Sequence, residues 1–150
     1  KIITSLQQSI VPMEYFEVYA ANHEMSALEY ILQLDGYSYY MMNIIDYLIG
    51  NTDRHWGNWG LLVDNRTNRP LRLYDLMDFN KAFQAYDSLE GSNCLTTVSK
   101  MTQKEAAVEA VKAVGLNQMK EVDMTWFDDA AEREMFQRRL KLLKAQENCR

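Results

Sequence analysis

The chain has 150 residues, which is close to the usual size of one domain and is long enough to bury a core. Apolar residues make up 47% of it and charged residues 25%, so the composition is that of a globular rather than a disordered protein. The net charge of −5 argues against a broad basic face, and therefore against direct binding of nucleic acid or of an anionic membrane surface.

The cysteines and the hydropathy of the chain further narrow the class of protein. Cys94 and Cys149 lie far apart and form no C-x-x-C pair, so we expect free thiols in a reducing compartment and no zinc site. No signal peptide opens the chain, and its most apolar stretch, residues 37–49, is interrupted by polar residues. We therefore expect a soluble, cytoplasmic protein. Because Lys1 is not methionine, we expect the chain to be a segment of a longer protein.

The first third of the chain predicts helices. Residues 2–21 are apolar, and we expect Pro12 to separate two short elements there. Helical spacing in residues 25–34 stops before Gly36, which we expect to supply the positive φ of a helix C-cap. A broad apolar stripe in residues 37–49 predicts a second helix, central to the core.

A β-hairpin is predicted next. Residues 59–63 have strand composition, residues 64–70 are dense in turn formers, and residues 71–77 are consistent with a return strand. Leu71 and Leu73 are expected to share one face of that strand.

The remainder predicts a surface loop at residues 87–98 and two more helices. Thr102 and Glu105 form a capping box that opens the first of them, and Gly115 closes it. We expect Asp123 or Thr125 to cap the last helix.

The last helix is predicted to have two faces. The side expected to be buried carries Phe136, Leu140 and Leu143. The side expected to be solvated carries the basic residues Arg133, Arg138, Arg139 and Lys141.

The polar loop between the second helix and the hairpin carries the residues that suggest chemistry. Asp53 lies in this loop, Asn58 follows five residues later, and Asp78 follows the hairpin. Phosphoryl transfer requires a carboxylate near the attacking hydroxyl and oxygen ligands that hold Mg²⁺ against the phosphates, and protein kinases supply them in this order. We expect the hairpin to return Asp78 close to Asn58, so that both reach one ion.

The Asp-to-Asn spacing alone is a weak signal, because it occurs three times in the chain. One pair starts at Asp46, inside the apolar helix, and another starts at Asp75, inside the predicted return strand. Asp53 differs because a polar loop surrounds it and a hairpin with a further aspartate follows. The prediction therefore rests on the order of these residues and on the elements predicted around them, and not on the spacing alone.

Residues 51–60, N-T-D-R-H-W-G-N-W-G, and residues 76–80, L-M-D-F-N, resemble the C-terminal lobe of HipA-type serine/threonine kinases. The resemblance is strongest to the HipA-like group of Gram-positive bacteria, and the phosphoinositide-kinase branch of the same superfold uses a similar D-R-H-x-x-N loop. It implies a mainly α fold with one β-hairpin, a kinase-like C-terminal lobe, in one domain over residues 1–150.

Carried over to this sequence, the resemblance implies that Asp53 is the catalytic-loop aspartate, which orients or deprotonates the substrate hydroxyl. Asn58 and Asp78 are implied as metal ligands. Arg54 and His55 are expected to hold the shape of the loop.

Asp75 competes with Asp78, since Tyr74-Asp75 also resembles the Tyr-Asp of some relatives. Asp78 is preferred because the longer hairpin of the Gram-positive group places its aspartate twenty positions after the asparagine.

The family also has an N-terminal lobe with a phosphate-covering loop and a lysine. The six glycines of this chain form no G-x-G-x-x-G, and there is no Walker A motif. We therefore expect the nucleotide-binding lobe to be absent from this chain, the chain alone to be inactive, and the full-length parent to use ATP and Mg²⁺.

The expected reaction is transfer of the γ-phosphoryl of ATP to a protein serine or threonine. Two alternatives stay open: a phosphoinositide or small-molecule kinase, and a non-catalytic interaction or regulatory module derived from a kinase lobe. The resemblance further suggests a bacterial protein whose partners are a protein substrate and an antitoxin or regulator protein, without direct contact to nucleic acid or membrane.

Overall fold

The computed structural model describes residues 7–16, 25–83 and 88–149. The elements in these ranges are the strands β1 (Gln8–Pro12), β2 (Gly60–Asp64) and β3 (Arg69–Leu73), the helices α1 (Ala27–Leu48), α2 (Gln103–Val114) and α3 (Ala130–Glu147), and 3₁₀ turns at Met13–Tyr15 and Met124–Trp126. The protein is mostly helical with one small antiparallel sheet. Within the described ranges, no helix has both the length and the apolar character needed to cross a membrane.

The chain divides into two compact units. The sheet unit comprises Lys1–Tyr39 and Arg54–Asp78, and the helical unit comprises Tyr40–Asp53 and Phe79–Arg150. The chain passes from one unit to the other at three points: within α1, directly after Asp53 and directly after Asp78. The organisation of the chain as a single domain stays a prediction.

The sheet has the order β1-β2-β3, with both neighbouring pairs antiparallel. The predicted hairpin is confirmed as β2 and β3. The return strand lies at Arg69–Leu73 rather than at residues 71–77, so Asp75 follows the strand instead of lying inside it. The expectation of one hairpin alone was incomplete, because β1 adds a third strand. Pro12 separates two short elements as predicted, since it ends β1 and the 3₁₀ turn follows it. The rest of the apolar stretch predicted at residues 2–21 lies largely outside the described residues.

The return strand contains a β-bulge. Val63 pairs with Pro70, whereas the residue before Val63 pairs with Arg72, so Leu71 is the extra residue of the bulge. Leu71 is 44% exposed while Leu73 is 4% exposed. The expectation that these two leucines share one face was therefore wrong, because a bulge shifts the alternation of side chains by one position.

Helix α1 is interrupted at Asp35, whose φ of −158° and ψ of 58° are not helical. The predicted break is confirmed, but Gly36 does not have the positive φ that was expected. Instead, the Asp35 carboxylate accepts hydrogen bonds from the main-chain nitrogens of Ser38, at 3.3 Å, and Leu73, at 3.0 Å. Asp35 thus acts as an N-cap for the second part of α1 and also holds the end of β3.

The helical unit has a core built from the C-terminal part of α1, from α2 and from α3. Its buried residues are Ile44, Tyr47, Leu48, Ala107, Ala110, Val111, Leu116, Phe136 and Leu143. The predicted capping box of α2 is confirmed in both of its hydrogen bonds, and Gly115 closes the helix with a φ of 73°. The loop predicted at residues 87–98 is found at residues 88–101, directly before α2. Residue 87 lies outside the described ranges.

Helix α3 begins later than predicted. Its N-cap is Asp129, whose carboxylate accepts hydrogen bonds from the main-chain nitrogens of Ala131, at 2.7 Å, and Glu132, at 3.1 Å. Asp123 instead caps the preceding 3₁₀ turn by accepting from the nitrogen of Thr125 at 2.9 Å. The expectation that Asp123 or Thr125 caps the last helix was therefore wrong, because a separate 3₁₀ turn at Met124–Trp126 precedes that helix.

Arg139 is fully buried, which contradicts its predicted place on the solvated face of α3. Its guanidinium donates hydrogen bonds to the carbonyl oxygens of Tyr47 and Ser88 and lies 4.8 Å from the centre of the Tyr47 ring. Burial raises the pKa of Tyr47 to about 12, so its phenol stays neutral and donates to the carbonyl of Leu89 at 2.7 Å. Arg139 was expected in solvent because it stands among other charged residues. Its burial could not be foreseen, because its partners are main-chain groups distant in sequence.

Gly60 lies where β1 and β2 approach closely. A Cβ atom there would collide with the main chain of Val11, which cannot move without disturbing the strand pair. We expect Gly60→Ala to lower the free energy of unfolding by about 1–3 kcal/mol, measured by urea denaturation. Gly36→Ala is the matched control, because its Cβ would meet Leu32 at an ordinary 3.8 Å. That control should be neutral or stabilising by up to about 1 kcal/mol, and an equal loss in both variants would contradict this account of the strand contact.

The second prediction concerns Arg139 and its exposed neighbour Arg138. Arg139→Ala leaves two carbonyl groups without this donor and removes a buried side chain, so we expect it to destabilise the chain by roughly 3 kcal/mol or more. Arg138→Ala should change the free energy of unfolding by less than about 0.5 kcal/mol. Chemical denaturation of both variants checks this. A loss for Arg139→Ala no larger than that of its neighbour would show that these bonds contribute little.

Candidate active site

Asp53 follows a tight turn at the end of α1 in the helical unit. Gly50 adopts a φ of 60° there, and Asn51 is buried. The nitrogen of Asn51 donates to the carbonyl of Asp46 at 2.9 Å, and its side-chain amide donates to the Asp46 carboxylate at 3.0 Å. The nitrogen of Asp53 in turn donates to the side-chain oxygen of Asn51 at 3.4 Å. Asn51 therefore determines the main-chain path into Asp53, as an Asx turn does.

Arg54 connects the two segments that carry the predicted metal ligands in the sheet unit. It is 3% exposed, and its Nη1 atom donates to the carbonyl oxygens of Asn58, at 3.1 Å, and Met77, at 2.5 Å. The carbonyl oxygens of Asn58 and Met77 can therefore lie no further apart than the sum of the two hydrogen-bond lengths. Because Met77 directly precedes Asp78, one side chain holds the main chain of Asn58 close to the start of Asp78.

The hairpin brings these segments together. Beyond the last paired residues of β2 and β3, the nitrogen of Tyr74 donates to the carbonyl of Gly60 at 2.8 Å, which extends the ladder towards Asn58. The main chain after β3 therefore runs back beside the loop. That Asp78 and Asn58 reach one ion stays a prediction.

The two candidate aspartates at the end of the hairpin have different surroundings. The Asp75 side chain is 80% exposed and forms an ion pair with Arg72 at 2.9 Å. Asp78 is also exposed, but its main chain adopts a left-handed φ of 57°. Aspartate tolerates this conformation better than most residues, and such conformations recur at functional sites. The choice between Asp75 and Asp78 as metal ligand stays a prediction.

His55 interacts with its own turn. Its Nδ1 atom accepts a hydrogen bond from the nitrogen of Gly57 at 3.0 Å, and its carbonyl accepts from the nitrogen of Asn58 at 3.1 Å. Nδ1 is occupied as an acceptor, so the ring braces the turn rather than presenting this atom to a substrate. The role of His55 in supporting the catalytic loop stays a prediction.

The two tryptophans of the loop pack against protein. Trp59 is buried, with ring centres 5.6 Å from Trp56 and 6.1 Å from Tyr39. The carbonyl of Trp59 accepts from the nitrogen of Met13, and that of Trp56 accepts from Glu14, both at 3.0 Å. Packing was the favoured interpretation over ligand stacking. The contacts with the 3₁₀ turn could not be foreseen, because they join residues far apart in sequence.

The helical unit holds the flanking segments separately. The nitrogen of Thr52 donates to the carbonyl of Lys81 at 3.3 Å, and the nitrogen of Phe83 donates to the carbonyl of Ile49 at 2.5 Å. The chain that follows Asp78 thus pairs with the chain that leads into Asp53. Asp53 itself belongs to the helical unit, and its arrangement relative to the predicted metal ligands stays a prediction.

Metal binding was assessed from the donor groups of the described residues. Among them, no group of three or more His, Cys, Asp or Glu side chains is arranged to hold a metal ion. The predicted magnesium site would not form such a group, because it takes one amide oxygen and one carboxylate from this chain. Mg²⁺ commonly binds one or two carboxylates and keeps several waters and phosphate oxygens.

No family model matches the chain, and no curated protein matches it in sequence. The chain is similar to the crystal structure of a Helicobacter pylori proinflammatory kinase, CtkA, with a TM-score of 0.53 and 15% sequence identity. The match covers 93% of this chain and 68% of the kinase. The fold is kinase-like. At this identity the likeness shows the fold alone, so the more specific HipA-like assignment stays a prediction.

Substitution of Asp78 and substitution of Asp75 should change the Mg²⁺ requirement by different amounts, which distinguishes the two candidate ligands. We expect Asp78→Asn in the full-length protein to raise the Mg²⁺ concentration for half-maximal phosphoryl transfer by about tenfold or more, because the predicted carboxylate ligand would be lost. Asp75→Asn, the matched control, should change it by less than about twofold, because its carboxylate pairs with Arg72. The measurement is a Mg²⁺ titration at saturating ATP. The opposite order of effects would assign the metal to Asp75.

Proposed function

We propose that this chain is the C-terminal lobe of a kinase that transfers the γ-phosphoryl of ATP to a serine or threonine of a protein substrate, with Mg²⁺ as cofactor. The observation that carries the proposal is the Arg54 side chain, which donates to the main chain at Asn58 and at the residue before Asp78. The kinase-like fold is a second, coarser support.

Asn58 and Asp78 are the proposed Mg²⁺ ligands. An amide and a carboxylate oxygen are hard donors that suit this ion, and two protein ligands leave positions for phosphate and water. Asp78 is exposed, so an ion carried by a nucleotide can reach it. When bound, the ion would neutralise negative charge on the phosphates during transfer.

Asp53 is the proposed catalytic residue. Its carboxylate would accept a hydrogen bond from the substrate hydroxyl and orient it for attack. Positioning contributes much of the rate in such reactions, and a misplacement of 1 Å can cost roughly a hundredfold. The hydrogen bond from its nitrogen to Asn51, in the turn that ends α1, supports this role because it limits the freedom of the main chain.

Arg54 and His55 are proposed to support the loop rather than to react. A buried guanidinium is costly unless it is hydrogen-bonded, and the Nη1 atom of Arg54 donates to two main-chain carbonyl oxygens. We propose that the nucleotide phosphates are covered by a lobe outside this chain and that the isolated chain does not turn over ATP. We also propose that the full-length protein works in the cytoplasm.

The test is Asp53→Ala in the full-length protein, incubated with labelled ATP. We expect phosphoryl transfer to fall below about a tenth of wild type, because removal of a general base or orienting carboxylate commonly costs 10² or more in rate. Circular dichroism should show that the variant remains folded. Separation of protein label from lipid label identifies the acceptor class.

Asp64→Ala provides the control. Asp64 lies at the hairpin turn, where its carboxylate accepts from the nitrogen of Arg66 at 2.8 Å. Transfer in this variant should stay close to wild type. Activity of the Asp53 variant above about a tenth of wild type would refute the catalytic role, since general acid–base groups contribute more than this.

A further inference from the structure

Gln103 makes an unusual pair of hydrogen bonds at the start of α2. It is 5% exposed, its side-chain oxygen accepts from the nitrogen of Ser92 at 3.1 Å, and its side-chain nitrogen donates to the carbonyl oxygen of Asn51. A main-chain nitrogen can only donate and a main-chain carbonyl can only accept, so the two partners together determine which end of the amide faces which segment. The Gln103 amide therefore connects two segments: Ser92 supplies a hydrogen-bond donor and Asn51 supplies an acceptor.

One end of this bridge is firmly attached. The nitrogen of Gln103 donates to the carbonyl of Ser92 at 2.9 Å, and the nitrogen of Lys104 donates to the carbonyl of Glu90 at 3.1 Å. Gly91 has a φ of 70°, and a Cβ atom there would lie 2.6 Å from the side-chain oxygen of Gln103. Glycine is required at this position both by its φ and by the closeness of the glutamine. The loop at residues 90–92 is thus fitted around this side chain.

The other end of the bridge reaches the proposed catalytic residue. Gln103 holds the carbonyl of Asn51, and the side-chain oxygen of Asn51 accepts from the nitrogen of Asp53. Asn51 is also held by Asp46 through two hydrogen bonds. A displacement of the loop at Ser92 would therefore be transmitted through one amide to the main chain that carries Asp53.

We propose that Gln103 is a positioning residue that couples the conformation of the loop at residues 88–94 to that of Asp53. The proposal rests on the function proposed above and adds a means of regulation to it: the loop must be docked for Asp53 to be held in place. Gln103 touches neither substrate nor nucleotide in this scheme, and it acts through Asn51 alone.

The sequence provides variants that separate the two ends of the bridge. Gln103→Glu keeps an oxygen for the Ser92 nitrogen but replaces the donor to Asn51 with a second oxygen, so the loop contact can persist while the contact to Asn51 is lost. Gln103→Met preserves the length of the side chain and removes both hydrogen bonds. Gln137→Glu, on the exposed face of α3, makes the same change of charge without such contacts and is the matched control.

The first measurement is steady-state phosphoryl transfer by the full-length protein. For Gln103→Glu we expect kcat to fall by about tenfold to a hundredfold, because Asp53 is displaced, while KM for ATP changes by less than about twofold. Gln103→Met should lower kcat at least as much, and Gln137→Glu should leave both constants unchanged. A kcat within about twofold of wild type for both Gln103 variants would overturn the proposal.

The second measurement does not need activity. Amide hydrogen exchange of the full-length protein should become faster at residues 51–53 in Gln103→Glu, while residues 104–114 of α2 stay protected. Unchanged exchange at residues 51–53 would overturn the coupling, as would loss of protection throughout α2, which would mean that the helix itself had unfolded.

The two measurements also separate this inference from the proposed function. If wild-type protein transferred no phosphoryl group, the proposed function would fail, and the exchange data would still decide whether Gln103 couples the loop to residues 51–53. If Asp53→Ala abolished transfer while Gln103→Glu did not affect it, the function would stand and the role of Gln103 would be refuted.

Discussion

Burial of a guanidinium group costs free energy unless its N–H groups donate hydrogen bonds. This constraint governs the loop of the sheet unit that contains Arg54, which is 3% exposed. Arg54 donates from one nitrogen to carbonyl oxygens on either side of the hairpin. The hairpin ladder brings the two acceptors together, and the buried cation keeps them together. The proposed metal ligands depend on this bond pair.

Local signals explain what could be predicted from the sequence. The capping box of α2, the interruption of α1 and the turn formers of the hairpin each act within a few residues, so composition and spacing reveal them. The strand β1 carries no comparable signal, because it is short and largely exposed and becomes recognisable as a strand only through its pairing with β2. The bulge at Leu71 was missed for a related reason: register is a property of two strands together.

The polar residues of the interior were the hardest to predict. Arg139 and Gln103 lie on helix faces that also carry apolar residues, and a pattern based on hydropathy places such side chains in solvent. Each is buried because it binds main-chain carbonyls of a segment far away in sequence. The order of the candidate site residues could be derived from the sequence, since it follows the chain. The side chains that hold those residues could not, since their partners appear only on folding.

The predicted catalytic aspartate and the bracing arginine are consecutive residues, and the division into two units falls between them. On the side of the helical unit, Asp53 is held through Asn51 and Gln103, and on the side of the sheet unit, Arg54 is held by the carbonyls of Asn58 and Met77. Each of the two residues is therefore held within its own unit. Asp53 depends on side-chain amides that bind main-chain groups, whereas Arg54 depends on a guanidinium that binds main-chain carbonyls. Because hydropathy and spacing reveal none of these partners, the supports of the candidate site residues follow from the fold rather than from the motif.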